Sequence, residues 1–409
     1  MLTLENNSLT IRFPHIHPDA ICTIDFQRTL RIPDDNRAHK LPPSLGNFPL
    51  AHVDDFAAKL PAAWQKRGGV FLPMHQSEAM WIRFNSKYPF AVKIASGKIN
   101  AVTGKPWTPE LNGPRTFGPG YAGMLPPRRR TPGVLGGPYN DGPFGDGPFG
   151  FPVTMSDNLA HYGKIEGEQD YLSVPDQRWL DGFCVSKGKI RQFVAMPMGE
   201  GYTAEEQITG EALHGGLQII VYPLKPEFYR PPTPLRGAVT NSVSPGFFSA
   251  SASAGGVMRS MSSGISGQSM NAAYTARSLV ADMGMAPGGL MEQSIHEDKY
   301  GLEKFDQSTS EKCFVHLLNS QQYQRVTGRL PLHQPPSAAD YTKAGLPWYS
   351  EGGTDSKALP GGKPLQKLDS VANLDNKMGK ISLPENAPLP ESPAVTVVKI
   401  PNVVRNGGW

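Results

Sequence analysis

Cysteine is scarce, with three residues in 409: Cys22, Cys184 and Cys313. They lie too far apart for a CxxC redox pair or a zinc motif. A cytoplasmic, reduced chain is therefore expected, while the odd count leaves open a thiol that pairs between chains. Long apolar runs are also missing, since none approaches the roughly 18 residues that a membrane-spanning helix needs. The opening stretch, Met1 to Ser8, has neither a basic n-region nor an apolar core, so no secretory leader is expected. An excess of one charge is lacking too: 40 Lys and Arg face 36 Asp and Glu, a net +4. That balance argues against a nucleic-acid binder driven by bulk electrostatics.

What is abundant is loop chemistry. The chain holds 44 glycines and 40 prolines, about one residue in five, and its hydrophobic content is 39%. Such a composition disfavours helical bundles and coiled coils. Short runs with a period of two recur instead: Leu9 to Phe13, Ile21 to Ile32, Val70 to Leu72, Ala79 to Phe84 and Phe90 to Ile94. Lys98 to Thr103 follows the Ser96-Gly97 turn as the return arm of a hairpin. Further β-type runs are Tyr171 to Val174, Trp179 to Val185, Lys189 to Met196, Leu217 to Tyr222 and Cys313 to Leu318.

Helical signals are brief. Asp54 to Lys66 is interrupted by Pro61 and stopped by Gly68-Gly69. Thr203-Ala-Glu-Glu206 fits a capping box. Asn319 or Ser320 caps a helix that ends at Gly328, and Ser337 caps another over Ala338 to Ala344.

Two stretches break the pattern. Gly and Pro fill 22 of the 50 positions from 101 to 150. Gly-Pro-aromatic recurs there at 137–139, 142–144 and 147–149, close to Arg128-Arg129-Arg130, and cannot build a ladder. Residues 241–270 hold 10 Ser and 5 Gly, which reads as disordered or loosely attached. After Tyr349 the chain is rich in Lys, Pro and Gly and reads as a tail, with Val395 to Ile400 as a strand able to dock at an edge.

Candidate chemistry is sparse. Cys184 follows Asp181-Gly-Phe, and His214 lies one strand and one helix further on. A thiolate, an imidazole and an orienting carboxylate would make a nucleophilic site for a hydrolase or transferase. Against that, Phe183 and Val185 flank Cys184 and suit a buried, inert thiol. His15-Ile-His17 puts two imidazoles on one face of an extended segment, which is short of a metal set. Gly199-Glu-Gly201-Tyr-Thr-Ala204 mimics a dinucleotide fingerprint, but Glu200, Glu205 and Glu206 would repel a pyrophosphate. Asn6-Asn7-Ser8 matches a glycosylation sequon. No cofactor is expected.

Several strings carry a resemblance. They are Ile24 to Asp35 (IDFQRTLRIPDD), Tyr88 to Ile94 with Lys98 to Gly104, Trp179 to Cys184, Ile190 to Met196, His214 to Tyr222 (HGGLQIIVY), Cys313 to His316 and Ala344 to Trp348. Together they resemble an uncharacterised family of bacteria and some fungi, the one that includes the crystal-forming, gravity-sensing protein octin. The resemblance implies self-assembly, a vacuolar setting as the alternative to the cytoplasm, and Cys22, Cys184 and Cys313 as candidates for inter-chain disulfides.

The residues themselves rank these thiols. Cys22 opens a strand beside Pro18-Asp19, at what would be a sheet rim, although period two groups it with Ile24 and Phe26 on the core face. Cys313 follows a polar stretch, beside Lys312, which would raise its reactivity. Cys184 is expected to stay buried.

The sequence thus predicts a β-rich α+β protein of packed, mainly antiparallel sheets with a few short capped helices. One composite domain spans 1–349, with insertions at about 105–160 and 231–289, and 350–409 forms a tail. The expected function is non-catalytic: a self-assembling structural or interaction protein, a homo-oligomer with no nucleic acid and no membrane span. A cysteine-dependent enzyme using Cys184, His214 and Asp181 is the alternative.

Overall fold

The computed structural model describes residues 1–116, 164–165, 167–231, 282–351, 357–380 and 395–398. The Gly-Pro-aromatic repeat, the triple arginine and the Ser-Gly stretch lie outside them.

Twenty strands are formed among the described residues. In the first half these are β1 (Leu2–Glu5), β2 (Ser8–Arg12), β3 (Ile21–Thr29), β4 (Ala38–His39), β5 (Ala51–His52), β6 (Val70–Met74), β7 (Ala79–Ser86), β8 (Phe90–Ser96), β9 (Ile99–Asn100) and β10 (Arg115–Thr116). Then come β11 (Lys164–Ile165), β12 (Leu172–Val174), β13 (Trp179–Leu180), β14 (Gly182–Ser186), β15 (Lys189–Pro197), β16 (Leu217–Pro223), β17 (Asp282–Glu292), β18 (Glu311–Asn319), β19 (Trp348–Glu351) and β20 (Val395–Val398). The helices are short: α1 (Ala62–Arg67), α2 (Ala204–Thr209), α3 (Ser320–Thr327), α4 (Ala338–Lys343), α5 (Lys363–Gln366) and α6 (Val371–Lys377). The protein is strand-rich and mainly antiparallel, with few helices, as its period-two runs indicate. Among the described residues, no helix is long and apolar enough to cross a membrane.

Sixteen strands join one sheet, whose path of neighbours runs β1-β2-β3-β7-β15-β17-β18-β16-β8-β12. β12 pairs with β8, and β13, four residues after it, pairs with β7. Segment 172–180 therefore links the far end of the path back to β7 and closes a ring of strands, with most buried apolar residues in one cluster and two smaller clusters beside it. Among the described residues, parallel pairing is confined to β4 on β17, β6 on β18, and β19 on β20.

Local chemistry sets the helix ends. Thr203 Oγ1 accepts from the Glu206 amide at 3.2 Å and Glu206 Oε2 accepts from the Thr203 amide at 3.1 Å, so the capping box is formed. Asn319 and Ser337 cap α3 and α4 as their sequences indicate. Pro61 separates a 3-10 turn at Asp54–Lys59 from α1.

Period two accounts for one face of β3, where Cys22, Ile24 and Phe26 are buried. The opposite face is covered as well. Asp25 pairs with Arg83 at 2.6 Å, and Gln27 donates to Asn47 at 2.6 Å. On the Cys22 face, at the end of the strand, Arg28 Nε donates to Glu78 at 2.7 Å, with both residues buried.

Two boundaries need correction. Composition places residues 231–289 in an insertion, yet Asp282–Glu292 is the longest described strand and lies between β15 and β18. Its sequence, DMGMAPGGLME, carries Gly at 284, 288 and 289 where neighbours press onto its backbone. A Cβ on Gly288 would sit 2.5 Å from Val194 Cγ2, and one on Gly289 2.6 Å from the Pro33 carbonyl oxygen. The tail assignment also fails in part. Residues 357–380 pack on the sheet, with Leu365, Ser370 and Val371 fully buried. Asp375 accepts from Tyr202 Oη at 2.5 Å, and the Gly362 amide donates to the Cys184 carbonyl at 2.9 Å.

Crowding at β17 is testable. Gly288→Ala is expected to destabilise the protein by about 1–3 kcal/mol through overpacking. Adding Val194→Ala removes the opposing methyl, so the pair should cost less than the sum of the two single changes in chemical denaturation. Strict additivity would show that the two groups do not meet.

Candidate functional site

The candidate nucleophile is closed off. Cys184 is buried, its amide donates to the Ala101 carbonyl at 3.0 Å, and burial pushes its thiol up to about 12. A thiol held this far above its ordinary range forms almost no thiolate near neutrality. Cys22 and Cys313 are no different. Both are buried, and burial raises each to about 12, with Asp25 adding to the effect at Cys22. The structure thus corrects the expected exposure of Cys22 at a sheet rim and of Cys313 after its polar stretch, since both side chains are buried. Cys22 follows its period-two companions Ile24 and Phe26 into the core. Lys312 does not activate Cys313, because desolvation dominates there.

Asp181 and His214 each have a different partner from the one the enzyme reading gives them. Asp181 is buried and accepts from Gln293 Nε2 at 2.7 Å, while its own amide donates to Gln293 Oε1 at 3.0 Å. Burial, helped by the charge of Glu351, pushes its carboxyl up to about 7. His214 Nδ1 lies 3.0 Å from Glu205 Oε1. Glu205 Oε2 accepts from the His214 and Gly215 amides at 3.1 and 3.0 Å. Three donors fix this carboxylate, which in turn orients the ring. Burial lowers the His214 pKa, against the pull of Glu205. Among the described residues no hydrogen bond joins Cys184, His214 and Asp181. Glu205 escapes a sequence reading because its neighbour Glu206 carries the capping signal, and no spacing rule links it to His214.

The histidine pair is also divided. His15 is exposed at the edge of the Phe13 ring, while His17 stacks on Tyr88 at 5.5 Å and accepts from the Asp19 amide at 3.0 Å. No cluster of three or more potential metal ligands occurs among the described residues.

One cleft of about 510 Å³ is lined by Asn100, Thr103, Lys105, Thr108, Asn112 and Asp170 among others. Its polar groups are largely spent on each other. Asp170 takes Asn112 N and Nδ2, both at 2.9 Å, and the buried Lys93 ammonium at 2.7 Å.

Unspent backbone groups occur instead at the start of the sheet. β1 and β2 form a hairpin over Asn6-Asn7, whose φ values of 50° and 60° suit a two-residue type I′ turn. In such a hairpin Glu5 and Ser8 are a hydrogen-bonded pair, and pairs alternate from there. Thr3 and Thr10 therefore exchange bonds, while the N–H and C=O of Leu2 and Leu4 point away from β2. No other strand pairs with β1 among the described residues. The side chains of Leu2 and Leu4 lean on the core. On the opposite face Arg12 Nη1 donates to Thr3 Oγ1 at 3.1 Å and to Glu5 Oε1 at 2.8 Å. That bond from Arg12 is the main cause of a lowered Glu5 pKa. The sequon residue Asn6 is exposed at the hairpin tip.

No family model matches the chain, and neither a curated protein nor a solved structure matches it.

Two outcomes follow from these burials. In the native protein all three thiols should resist a thiol reagent that titrates them fully after denaturation, and rapid native labelling at any one would contradict its burial. Asp181 binds its proton more tightly when folded (about 7) than when unfolded (3.8). Its contribution to stability is therefore complete below pH 4 and lost as the pH rises to 7, with no further change above. Asp181→Asn keeps the acceptor for Gln293 without the charge. Relative to wild type, its stability should rise between pH 4 and 7 by a few kcal/mol, on the order expected for a shift of this kind. A pH-independent difference would refute the assignment.

Proposed function

We propose that this chain is a self-assembling structural or interaction protein that joins copies through a strand edge. The observation that carries this reading is the outer edge of β1. The N–H and C=O groups of Leu2 and Leu4 face away from the sheet, and no described strand covers them. An open edge of this kind is a template for another strand. The edge also lacks the usual deterrents. It has no proline, no bulge and no lysine, and its one acid, Glu5, is neutralised by Arg12.

Assembly by this route is independent of cysteine. Oligomers should persist in reductant, unlike those expected from exposed thiols. Leu4→Pro removes one outward donor and leaves the β1–β2 ladder intact, because the Leu4 amide is not part of that ladder. Light scattering after gel filtration should show a concentration-dependent oligomer for wild type, with or without reductant. The Leu4→Pro variant should run as monomer with little change in melting temperature. A wild type that stays monomeric at high micromolar concentration would refute the reading.

A further inference from the structure

The geometry points to β1 of a second copy as the occupant of this edge, paired antiparallel about a two-fold axis through Thr3. This inference rests on the strand-edge reading above and adds partner, orientation and register to it.

Register follows from which groups face outward. Only Leu2 and Leu4 present N–H and C=O to the edge, so the pairing with most hydrogen bonds sets Leu2 opposite the partner's Leu4 and Leu4 opposite the partner's Leu2. That arrangement makes four backbone bonds. Sliding by two residues, to Leu2 on Leu2 or Leu4 on Leu4, leaves only two. Thr3 then faces its own copy as a non-hydrogen-bonded pair, with Cα atoms about 4.5 Å apart. Leucine meets leucine on the core side, continuing the apolar face that Leu2 and Leu4 already share with the main cluster.

Charge favours the same arrangement. Arg12 lies opposite Met1, since the Arg12 amide donates to the Met1 carbonyl at 2.9 Å. In the two-fold register the partner's Glu5 also lies opposite Met1, on the face that carries Arg12. Arg12 and the partner's Glu5 are two strand spacings apart, about 10 Å between Cα atoms. The Glu5 of its own chain lies four residues along the hairpin, about 14 Å away. Arg12 already extends across Thr3 to reach it. Exchanging it for the partner's Glu5 shortens the reach and places unlike charges across both ends of the contact.

The two-fold relation gives the test its form. Arg12→Glu sets a second carboxylate against the partner's Glu5, and Glu5→Arg sets two guanidinium groups together. Each variant alone should dimerise at least tenfold more weakly than wild type by sedimentation. Their 1:1 mixture should recover a heterodimer, because both ends then pair unlike charges. The double variant Arg12→Glu/Glu5→Arg, which keeps an ion pair within each chain, should dimerise by itself. Thr3→Cys should give a dimer band on a non-reducing gel after mild oxidation, since its Cα separation suits a disulfide. Asn6→Cys at the hairpin tip should not. Loss of assembly in Leu4→Pro, without cross-linking through Thr3→Cys or charge rescue, would overturn the two-fold register and leave the edge reading standing. Assembly that survives Leu4→Pro would overturn both.

Discussion

The tight backbone contact along β17 is the constraint on which the rest of the sheet depends. β17 bonds to β15 over most of its length, touches β18 at its start and takes β4 along its end. It thereby ties β1, β2, β3, β7 and β15 to β18, β16, β8 and β12. The loop at Ile32-Pro33 lies directly on it, and Gln192 fills the space between, donating to the Leu30 carbonyl at 2.8 Å and accepting from the Ile32 amide at 2.8 Å. Side chains at 288 and 289 would push these layers apart. At 284, 288 and 289 a strand in this position must lack side-chain bulk, which is the reverse of what marks a strand in sequence.

That inversion explains which parts of the fold were legible. Strands with a core face announced themselves, because in β2, β7 and β8 apolar residues recur at alternate positions: Leu9 and Ile11, Met80, Ile82 and Phe84, and Phe90, Val92 and Ile94. Capped helices were equally plain, since caps are local chemistry: Thr203, Asn319 and Ser337 each act within three residues of themselves. β17 was hidden by Gly284, Pro287, Gly288 and Gly289, residues that signal a loop when read without knowledge of what packs against them. Segment 357–380 was hidden for a related reason. Its anchors Leu359, Leu365, Leu368 and Val371 are spread among Lys, Gly and Pro, and only the surface they meet reveals them as anchors.

Function was less legible than fold because most reactive groups are held by partners remote in sequence. Asp181 meets Gln293, Lys93 meets Asp170, and Arg28 meets Glu78. A buried polar group must be paired, and in a sheet the partner comes from whichever strand lies opposite. For Cys22, by contrast, period two already places the residue with Ile24 and Phe26. Weighing the strand start above that period gives the wrong face, and the burial of the thiol follows the stronger physical term, the removal of apolar surface from water.

The proposed contact between copies has a consequence for the form of the assembly. A two-fold strand pair is self-complementary, so it consumes the open edge of each chain and closes on itself. Such a contact gives a dimer with a continuous sheet and leaves no β1 edge to recruit a third copy, which limits runaway edge-to-edge growth. Any larger assembly must therefore add a second contact that is not β1. That contact must also work without thiols, because all three cysteines are buried in the described core. Higher-order growth would then be built from dimers rather than single chains. The edge that makes the dimer would be protected within it, and only the second surface would set how far growth proceeds.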